Sequence, residues 1–261
     1  MKRGFPFMAN PAGAQRPAQT IINQLFEDAR LKIRFDYFEH ITLPSLQGQT
    51  DQDFQQIVLS SRMMPQKWQK KLQELCYDVL GEQRCIVHFN PWGRAGRVFR
   101  RIIRGLTDAD NVENVAQVVL DDDDAVSHDF VEYCRQESLN AARNFTSPED
   151  YTYISFPRGY SMQIGGGELR FVERKVEYNN QGLTLVAPGT TQQNPFNISH
   201  KKVGERRPSR VINDRKHCYI RTVHQDNDSR AIHGQTDEIP LESVQEKFPW
   251  AGAFHQHVTG A

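Results

Sequence analysis

The sequence predicts an α/β fold, with a mainly parallel sheet flanked by helices and antiparallel hairpins added in the C-terminal half. Up to about residue 150, short apolar runs alternate with amphipathic stretches, as in a parallel sheet whose strands are joined by helices. After that point, short strand-like runs are separated by turn sequences. Because 261 residues can bury one large core, we predict a single domain over residues 1–261, with halves 1–150 and 151–261.

The N-terminal half is predicted to contain four helical segments and three strands. The clearest helix begins at Pro65, presents Trp68 and Leu72 on one face, and stops at Gly81. The other helical segments are residues 23–46, 98–105 and 127–142, and the strands are residues 54–59, 85–89 and 115–120. Each strand therefore has a helix as its neighbour in sequence, as the α/β class requires.

The C-terminal half is predicted to be built from hairpins. Its strand-like runs are residues 151–156, 160–164, 169–178 and 183–186. The segments between them are Pro157-Arg-Gly, Gly165-Gly-Gly and Asn179-Asn-Gln-Gly, all of which are turn sequences. From Pro188 onward the chain is polar, and we predict irregular structure with one further strand at residues 218–223.

Composition argues against nucleic acid as a partner and against a membrane-spanning segment. Lys plus Arg and Asp plus Glu both number 32, so no overall field favours nucleic acid. No window approaches the roughly 20 apolar residues of a membrane span. The four cysteines show no C-x-x-C spacing, which argues against a cysteine zinc site and is typical of free thiols in a reducing cytoplasm.

The run Asp121-Asp122-Asp123-Asp124 directly follows an apolar strand. Each close like-charge contact costs on the order of a few kcal/mol, so the run needs a counter-charge if it is buried. Ligands of open α/β sheets bind beyond the carboxyl ends of strands, and Mg²⁺ or Mn²⁺ suits carboxylate oxygens. The alternative is a solvated acidic turn that caps the next helix. A calcium loop is disfavoured because its sixth position, which needs glycine, is Val126.

Several sequence blocks resemble the bacterial rhamnosyltransferase family, which is related to family-2 glycosyltransferases. The first block, Phe38-Glu-His-Ile-Thr-Leu-Pro-Ser-Leu-Gln-Gly-Gln-Thr-Asp-Gln-Asp-Phe54, is followed by Val58-Leu59. The second is Leu120-Asp-Asp-Asp-Asp-Ala-Val-Ser-His-Asp-Phe-Val131. Phe196-Asn-Ile-Ser-His200 and Val223-His-Gln-Asp-Asn-Asp-Ser-Arg230 resemble the C-terminal blocks of the family. The first two blocks in this order are the more specific part of the likeness.

The resemblance implies a GT-A fold that moves a sugar from a nucleotide diphosphate to an acceptor hydroxyl. Asp121 and Asp123 match the two acids of the family's Asp-x-Asp motif, and Asp124 is the acid that follows. Residues 1–150 would then hold the nucleotide sugar, and residues 151–261 would face a glycan or lipid-linked acceptor. The chain departs from the pattern at its start, because the first nucleotide-binding strand must be either a short one around residues 5–8 or missing through truncation.

Residues outside the run are further candidates. His224 follows an apolar strand and is predicted to complete the metal site with Asp121, Asp123 and Asp124; the alternative is a surface histidine in a turn. Arg97 and Arg101 lie four apart on one predicted helix face and could contact the diphosphate together with Asp121; the alternative is a solvated face. Inversion at the anomeric carbon needs a general base, for which Glu205, Asp214 and His200 are open alternatives.

We therefore expect a glycosyltransferase of polysaccharide biosynthesis that uses Mn²⁺ or Mg²⁺. The family name favours rhamnose or another deoxyhexose as the transferred sugar. We place the protein in the cytoplasm, either free or peripheral at the inner membrane face. The competing hypothesis is a catalytically silent protein of the same fold that binds a nucleotide sugar or a glycan. A metal-dependent phosphohydrolase is disfavoured because it needs several carboxylate blocks at strand ends.

Overall fold

The chain has a mixed α/β architecture in a computed structural model that describes residues 19–91, 93–224 and 237–260. The strand expected around residues 5–8 lies outside these ranges. Most of the block from Val223 to Arg230 lies outside them too. Within the described part, no helix is both long enough and apolar enough to cross a bilayer.

The first helical region is longer and less uniform than its periodicity predicts. It consists of α1 (Gln19–Leu25), α2 (Asp28–Tyr37), a π-helical turn (Phe38–Thr42) and α3 (Leu43–Gln47). The backbone passes from α2 into the π turn without a break, because the N–H of Phe38 bonds to the carbonyls of both Arg34 and Phe35. Single π turns inside helices are frequent at functional sites.

The next three elements form the predicted strand–helix–strand unit. β1 (Gln56–Ser61) and β2 (Cys85–Asn90) pair in parallel, and α4 (Gln66–Leu80) connects them. The predicted apolar face of α4 is buried, with Leu72 fully enclosed. Gly81 ends the helix with a positive φ of 82°, a conformation that glycine adopts without strain. This part of the prediction is confirmed.

The following elements carry the chain to the acidic run. α5 (Ala95–Ala109) is longer at both ends than the predicted segment 98–105. β3 (Asn114–Val118) is shorter than predicted, and the acidic run lies between it and the two-residue strand β4 (Ala125–Val126). α6 (Phe130–Ala142) follows and matches the helix predicted after the run.

The C-terminal half contains one of the predicted hairpins, whereas the segments at 157–159 and 179–182 join strands of different sheets. β6 (Arg158–Gly165) and β7 (Glu168–Lys175) pair antiparallel, with Gly165 opposite Glu168. The two turn residues, Gly166 and Gly167, have φ of 62° and 79°, as a two-residue turn between twisted strands requires. The remaining strands are β5 (Thr152–Ser155), β8 (Thr184–Pro188), β9 (Ser209–Val211) and β10 (Tyr219–Val223).

The sheet arrangement differs from the predicted mainly parallel sheet. The described strands form three sheets, in the orders β1-β2, β4-β10-β6-β7 and β3-β8-β5-β9. Pairing within them is mixed, since β3 pairs antiparallel with β8 rather than joining β2. Periodicity identifies a strand but not its partner, and the partner of β3 lies about seventy residues further along the chain.

The prediction of irregular structure after residue 188 is wrong at several places. α7 (Val203–Arg206), α8 (Leu241–Gln245) and α9 (Ala251–Thr259) are helical, as are the 3₁₀ turns Pro195–Asn197 and His200–Lys202. These elements are too short to show a clear helical period. α9 nevertheless buries Phe254 in a core cluster with Ile41, Phe171 and Ile220, so it closes one side of the sheet that contains β10.

Candidate active site at the acidic run

The acidic run is brought beside the end of β10 by strand pairing. In the antiparallel register of β4 and β10, Ala125 lies opposite Ile220. Extending this register, the residues before Ala125 run alongside those after Ile220. The backbone N–H of Thr222 accordingly donates to Oδ1 of Asp124, at 2.8 Å. The run is therefore folded against the segment that ends at His224.

Arg34 of α2 is the cation nearest to the run. Its Nη2 lies 2.5 Å from Oδ1 of Asp122, and its Nη1 lies 3.3 Å from Oδ2 of Asp123. The side chains involved are 10% exposed or less. A buried arginine that faces two carboxylates supplies part of the counter-charge that the sequence demands.

His224 is the second partner of Asp123. Its Nε2 lies 3.1 Å from Oδ2 of Asp123, and the side chain is 3% exposed. The ring also packs against Tyr37 of α2, with centroids 4.6 Å apart. The structure thus brings together two predicted site residues that are about a hundred positions apart in the chain. Their role as metal ligands stays a prediction.

Asp124 is tied into the fold more completely than the other acids. Beyond the bond from Thr222, its Oδ2 accepts a bond from Nε2 of Gln181 at 2.5 Å, and its carbonyl oxygen accepts a bond from Oγ1 of Thr42 at 2.8 Å. Both carboxylate oxygens are therefore occupied by protein donors. This arrangement favours an anchoring role for Asp124 over the ligand role that the sequence suggested.

The pKa values of the four carboxyl groups are shifted in different directions. Burial, with the charges of Asp123 and Asp122, raises the pKa of Asp121 to about 7. Burial also raises the pKa of Asp122 to about 6, against the opposing effect of Arg34, and raises that of Asp124. The pKa of Asp123 is lowered despite its burial, because Arg34 and His224 both stabilise its ionised form. Asp123 is therefore the acid of the run that ionises most readily, whereas Asp121, Asp122 and Asp124 keep their protons to higher pH than ordinary carboxylic acids do.

The donor set suits a hard divalent cation only in part. Oδ1 of Asp121 is buried and has no hydrogen-bond partner among the described residues, so one ligand atom is available. In the described part of the chain, the only three His, Cys, Asp or Glu ligand atoms within 4.8 Å of one another lie elsewhere. The run is thus not a complete cage. Mg²⁺, however, is usually held by one or two carboxylates together with substrate phosphates, which this arrangement fits.

A separate cleft of about 610 Å³ is lined by the arginines of α5. It brings Arg97 and Arg101 together, and its other lining residues include Arg94, Arg100, Arg104, Asn90 and Gln192. Arg101 also lies 3.4 Å from Nε2 of His88, whose pKa is lowered by burial and by the charge of Arg101. None of the described hydrogen bonds or ion pairs joins this cleft to the acidic run.

The three candidate bases lie in different surroundings. Glu205 is exposed on α7, and Asp214 accepts a hydrogen bond from the hydroxyl of Tyr133. Nδ1 of His200 lies 2.6 Å from the carbonyl oxygen of Tyr178. Since a carbonyl only accepts, that contact fixes the tautomer in which Nε2 carries the lone pair. In the described structure none of the three is hydrogen-bonded to a carboxylate of the run.

Sequence reasoning missed several residues of the site. Arg34, Tyr37 and Thr42 come from α2 and the π turn, and Gln181 comes from the turn before β8. The available signal for Arg34 was the need of the acidic run for a buried counter-charge. No local pattern could assign that charge to Arg34, which precedes Asp122 by 88 residues.

The fold and the buried acidic turn define an α/β protein with a carboxylate-rich site. The model of a protein family described as "Putative rhamnosyl transferase" matches residues 5–236, and the chain belongs to that family. The resemblance seen in the blocks around the acidic run is thereby confirmed. No curated protein and no solved structure gives a significant match.

Proposed function

We propose that the chain is a metal-dependent glycosyltransferase with a GT-A-like domain. It would move rhamnose or another deoxyhexose from a nucleotide diphosphate to a hydroxyl of a glycan or lipid-linked acceptor, with inversion. Membership of the rhamnosyl transferase family supports the class of reaction. The observation that carries the metal-dependent part is the buried Oδ1 of Asp121, which has no hydrogen-bond partner among the described residues and belongs to a run of four aspartates.

Asp121 and Asp123 would hold Mn²⁺ or Mg²⁺ together with the donor diphosphate, and His224, which contacts Asp123, would complete the coordination sphere. When bound, the cation supplies Lewis-acid stabilisation of the charge that develops on the departing diphosphate. Arg34 keeps Asp122 and Asp123 in place and reduces their mutual repulsion. Asp124 ties the run to β10 through Thr222, so the ligand atoms keep a fixed position relative to the sheet.

The acceptor hydroxyl must lose its proton as it attacks. Glu205, Asp214 and His200 stay the candidates for this general base. The tautomer of His200 is the one that such a base requires, because its Nδ1 is bonded to the carbonyl of Tyr178. All three belong to residues 151–261, the half proposed to face the acceptor. We place the enzyme on the cytoplasmic side of the membrane, free or peripheral.

The test is nucleoside diphosphate release from a panel of nucleotide sugars, with Mn²⁺, Mg²⁺ or a chelator present. We expect release with one class of donor, and we expect the chelator to abolish it. Donor binding without turnover under any of these conditions would favour the silent binding protein instead. Equal turnover with chelator present would contradict the metal-dependent mechanism while leaving the transfer reaction standing.

The arginine cleft of α5 is proposed to contact the donor phosphates. Arg97→Ala and Arg101→Ala should each weaken donor binding about 10- to 100-fold, since a charge-assisted hydrogen bond contributes about 1.5–3 kcal/mol. Calorimetric titration with the donor measures the effect. Arg143→Ala, at the exposed end of α6, serves as the matched control and should bind normally. Unchanged affinity in both cleft variants would identify this helix face as merely solvated.

A further inference from the structure

A second cluster of ligand-type side chains lies on the face where α9 meets α2. Asp36 belongs to α2, His40 to the π turn and His257 to α9. Nε2 of His257 lies 3.0 Å from Oδ1 of Asp36, and Nε2 of His40 lies 3.6 Å from the same oxygen. The two imidazole rings pack together with centroids 4.1 Å apart. One ligand atom from each residue falls within 4.8 Å of the other two.

Local structure explains why these three side chains meet. Asp36 and His40 are four residues apart on one continuous helical path, so they share a face. His257 follows Phe254 by three residues, and Phe254 is buried against Tyr37, with ring centroids 6.4 Å apart. The apolar packing of α9 on α2 therefore presents His257 to the other two residues. The cluster is a product of helix docking rather than of a flexible loop.

Ordinary ion pairing does not account well for this arrangement. A single histidine beside a carboxylate is a common surface pair of small energy. Here two histidines share one carboxylate oxygen, and their rings pack against each other at an interplanar angle of 33°. If both rings were protonated, two like charges would lie about 4 Å apart, which is unfavourable even near the surface. Two neutral imidazoles with a carboxylate are instead a common set of metal ligands.

Two of the three ligand separations are close to those of tetrahedral zinc. Zinc bonds of about 2.0–2.1 Å to nitrogen and oxygen place tetrahedral ligand atoms about 3.3 Å apart. The two separations to Asp36, 3.0 Å and 3.6 Å, lie on either side of that value. The side chains are each about 40% exposed, so the rings have room to rotate toward a shared ion. We propose that Asp36, His40 and His257 bind one zinc ion, whose fourth position is left to water.

This site is separate from the acidic run in residues and in chemistry. Imidazole nitrogen favours zinc and similar transition metals, whereas a run of carboxylates favours Mg²⁺ or Mn²⁺. His257 also lies outside residues 5–236, the range that matches the family. Zinc here would connect two helices whose ligands are 221 positions apart, and one of these helices supplies Arg34 to the acidic run. The proposal does not depend on the proposed sugar transfer.

The experiment is a calorimetric titration of the full chain with Zn²⁺. We expect one equivalent to bind, and His257→Gln and His40→Gln each to lower the affinity by roughly tenfold or more, because even outer-shell changes cost 10–100-fold. His255→Gln, on the same helix but outside the cluster, should bind as the native protein does. Asp123→Asn should also bind Zn²⁺ normally, which separates the two sites.

Thermal melting gives an independent readout. Zn²⁺ should raise the melting temperature of the native protein and of His255→Gln, but not that of His257→Gln. Circular dichroism without metal checks that the variants are folded, and His40→Gln replaces His257→Gln if the latter is not. The proposal is overturned if the native protein binds no Zn²⁺. It is equally overturned if both cluster variants bind as tightly as native, or if only Asp123→Asn loses binding.

Discussion

Asp123→Asn should reduce sugar transfer about a thousandfold while the protein stays folded. Asp123 is proposed to hold the cation that stabilises the departing diphosphate, an effect worth several kcal/mol, or about a factor of ten for each 1.4 kcal/mol. The substitution also removes the charge that faces His224 and Arg34. Arg34 keeps its bond to Asp122, so we expect the buried arginine to stay paired and the fold to persist.

Steady-state rates with saturating donor and Mn²⁺ measure this effect, and thermal melting verifies the fold. Asp110→Asn is the matched control, because Asp110 is an exposed acid at the end of α5 and contributes nothing to the cluster. Its rate should equal that of the native enzyme. If Asp123→Asn turns over at the native rate with metal present, the assignment of the acidic run as the metal site is wrong.

Arg34→Met should lower the free energy of unfolding by about 3–5 kcal/mol, the typical cost of removing one partner of a buried ion pair. Methionine keeps much of the apolar volume, so the loss reports mainly on charge. Without the guanidinium, Asp122 loses its ion pair, and Asp123 keeps His224 as a partner while two further acids lie in the same run. Urea unfolding at pH 8 measures the effect. Lys32→Met, an exposed change on the same helix, should stay within about 0.5 kcal/mol.

The stability lost in Arg34→Met should depend on pH, and the pKa values of the carboxyl groups determine whether the loss grows or shrinks as the pH rises. In the native protein the pKa of Asp123 is lowered, chiefly because Arg34 opposes the effect of burial, so this acid stabilises the fold above its ordinary pKa. In the variant that contribution disappears, and the pKa of Asp122, already about 6, should rise further. A raised carboxylate pKa costs stability as the pH increases through it. The deficit of Arg34→Met should therefore be largest at pH 8 and smaller at pH 5.

A double-mutant cycle separates the pair from its surroundings. In the Arg34→Met background, Asp122→Asn should restore part of the lost stability, because it removes a charge that has lost its partner. In the native background the same change should be destabilising at pH 8, because Arg34 then loses a bidentate partner. Additive effects of the two substitutions, or an Arg34→Met loss below about 1 kcal/mol, would contradict the counter-charge role assigned to Arg34.

Several elements follow from local sequence alone. The apolar spacing of α4 and the glycine that ends it predict that helix, and the three glycines at 165–167 predict the hairpin turn between β6 and β7. The four consecutive aspartates predict a need for counter-charge wherever they are buried. Each of these conclusions depends on interactions within one turn or one strand. A sequence pattern reports such interactions directly.

Tertiary structure alone decided how those elements meet. β3 pairs with β8 instead of β2, and Arg34 rather than any nearby residue faces the acidic run. α9 gives no clear periodic signal, yet its burial of Phe254 positions His257 beside Asp36. The sequence by itself therefore determined the acidic run, its demand for positive charge and its place after a strand. Packing decided which residues from distant segments become partners, because such contacts lower the energy only after the chain has folded. They therefore leave no pattern in the sequence around either residue.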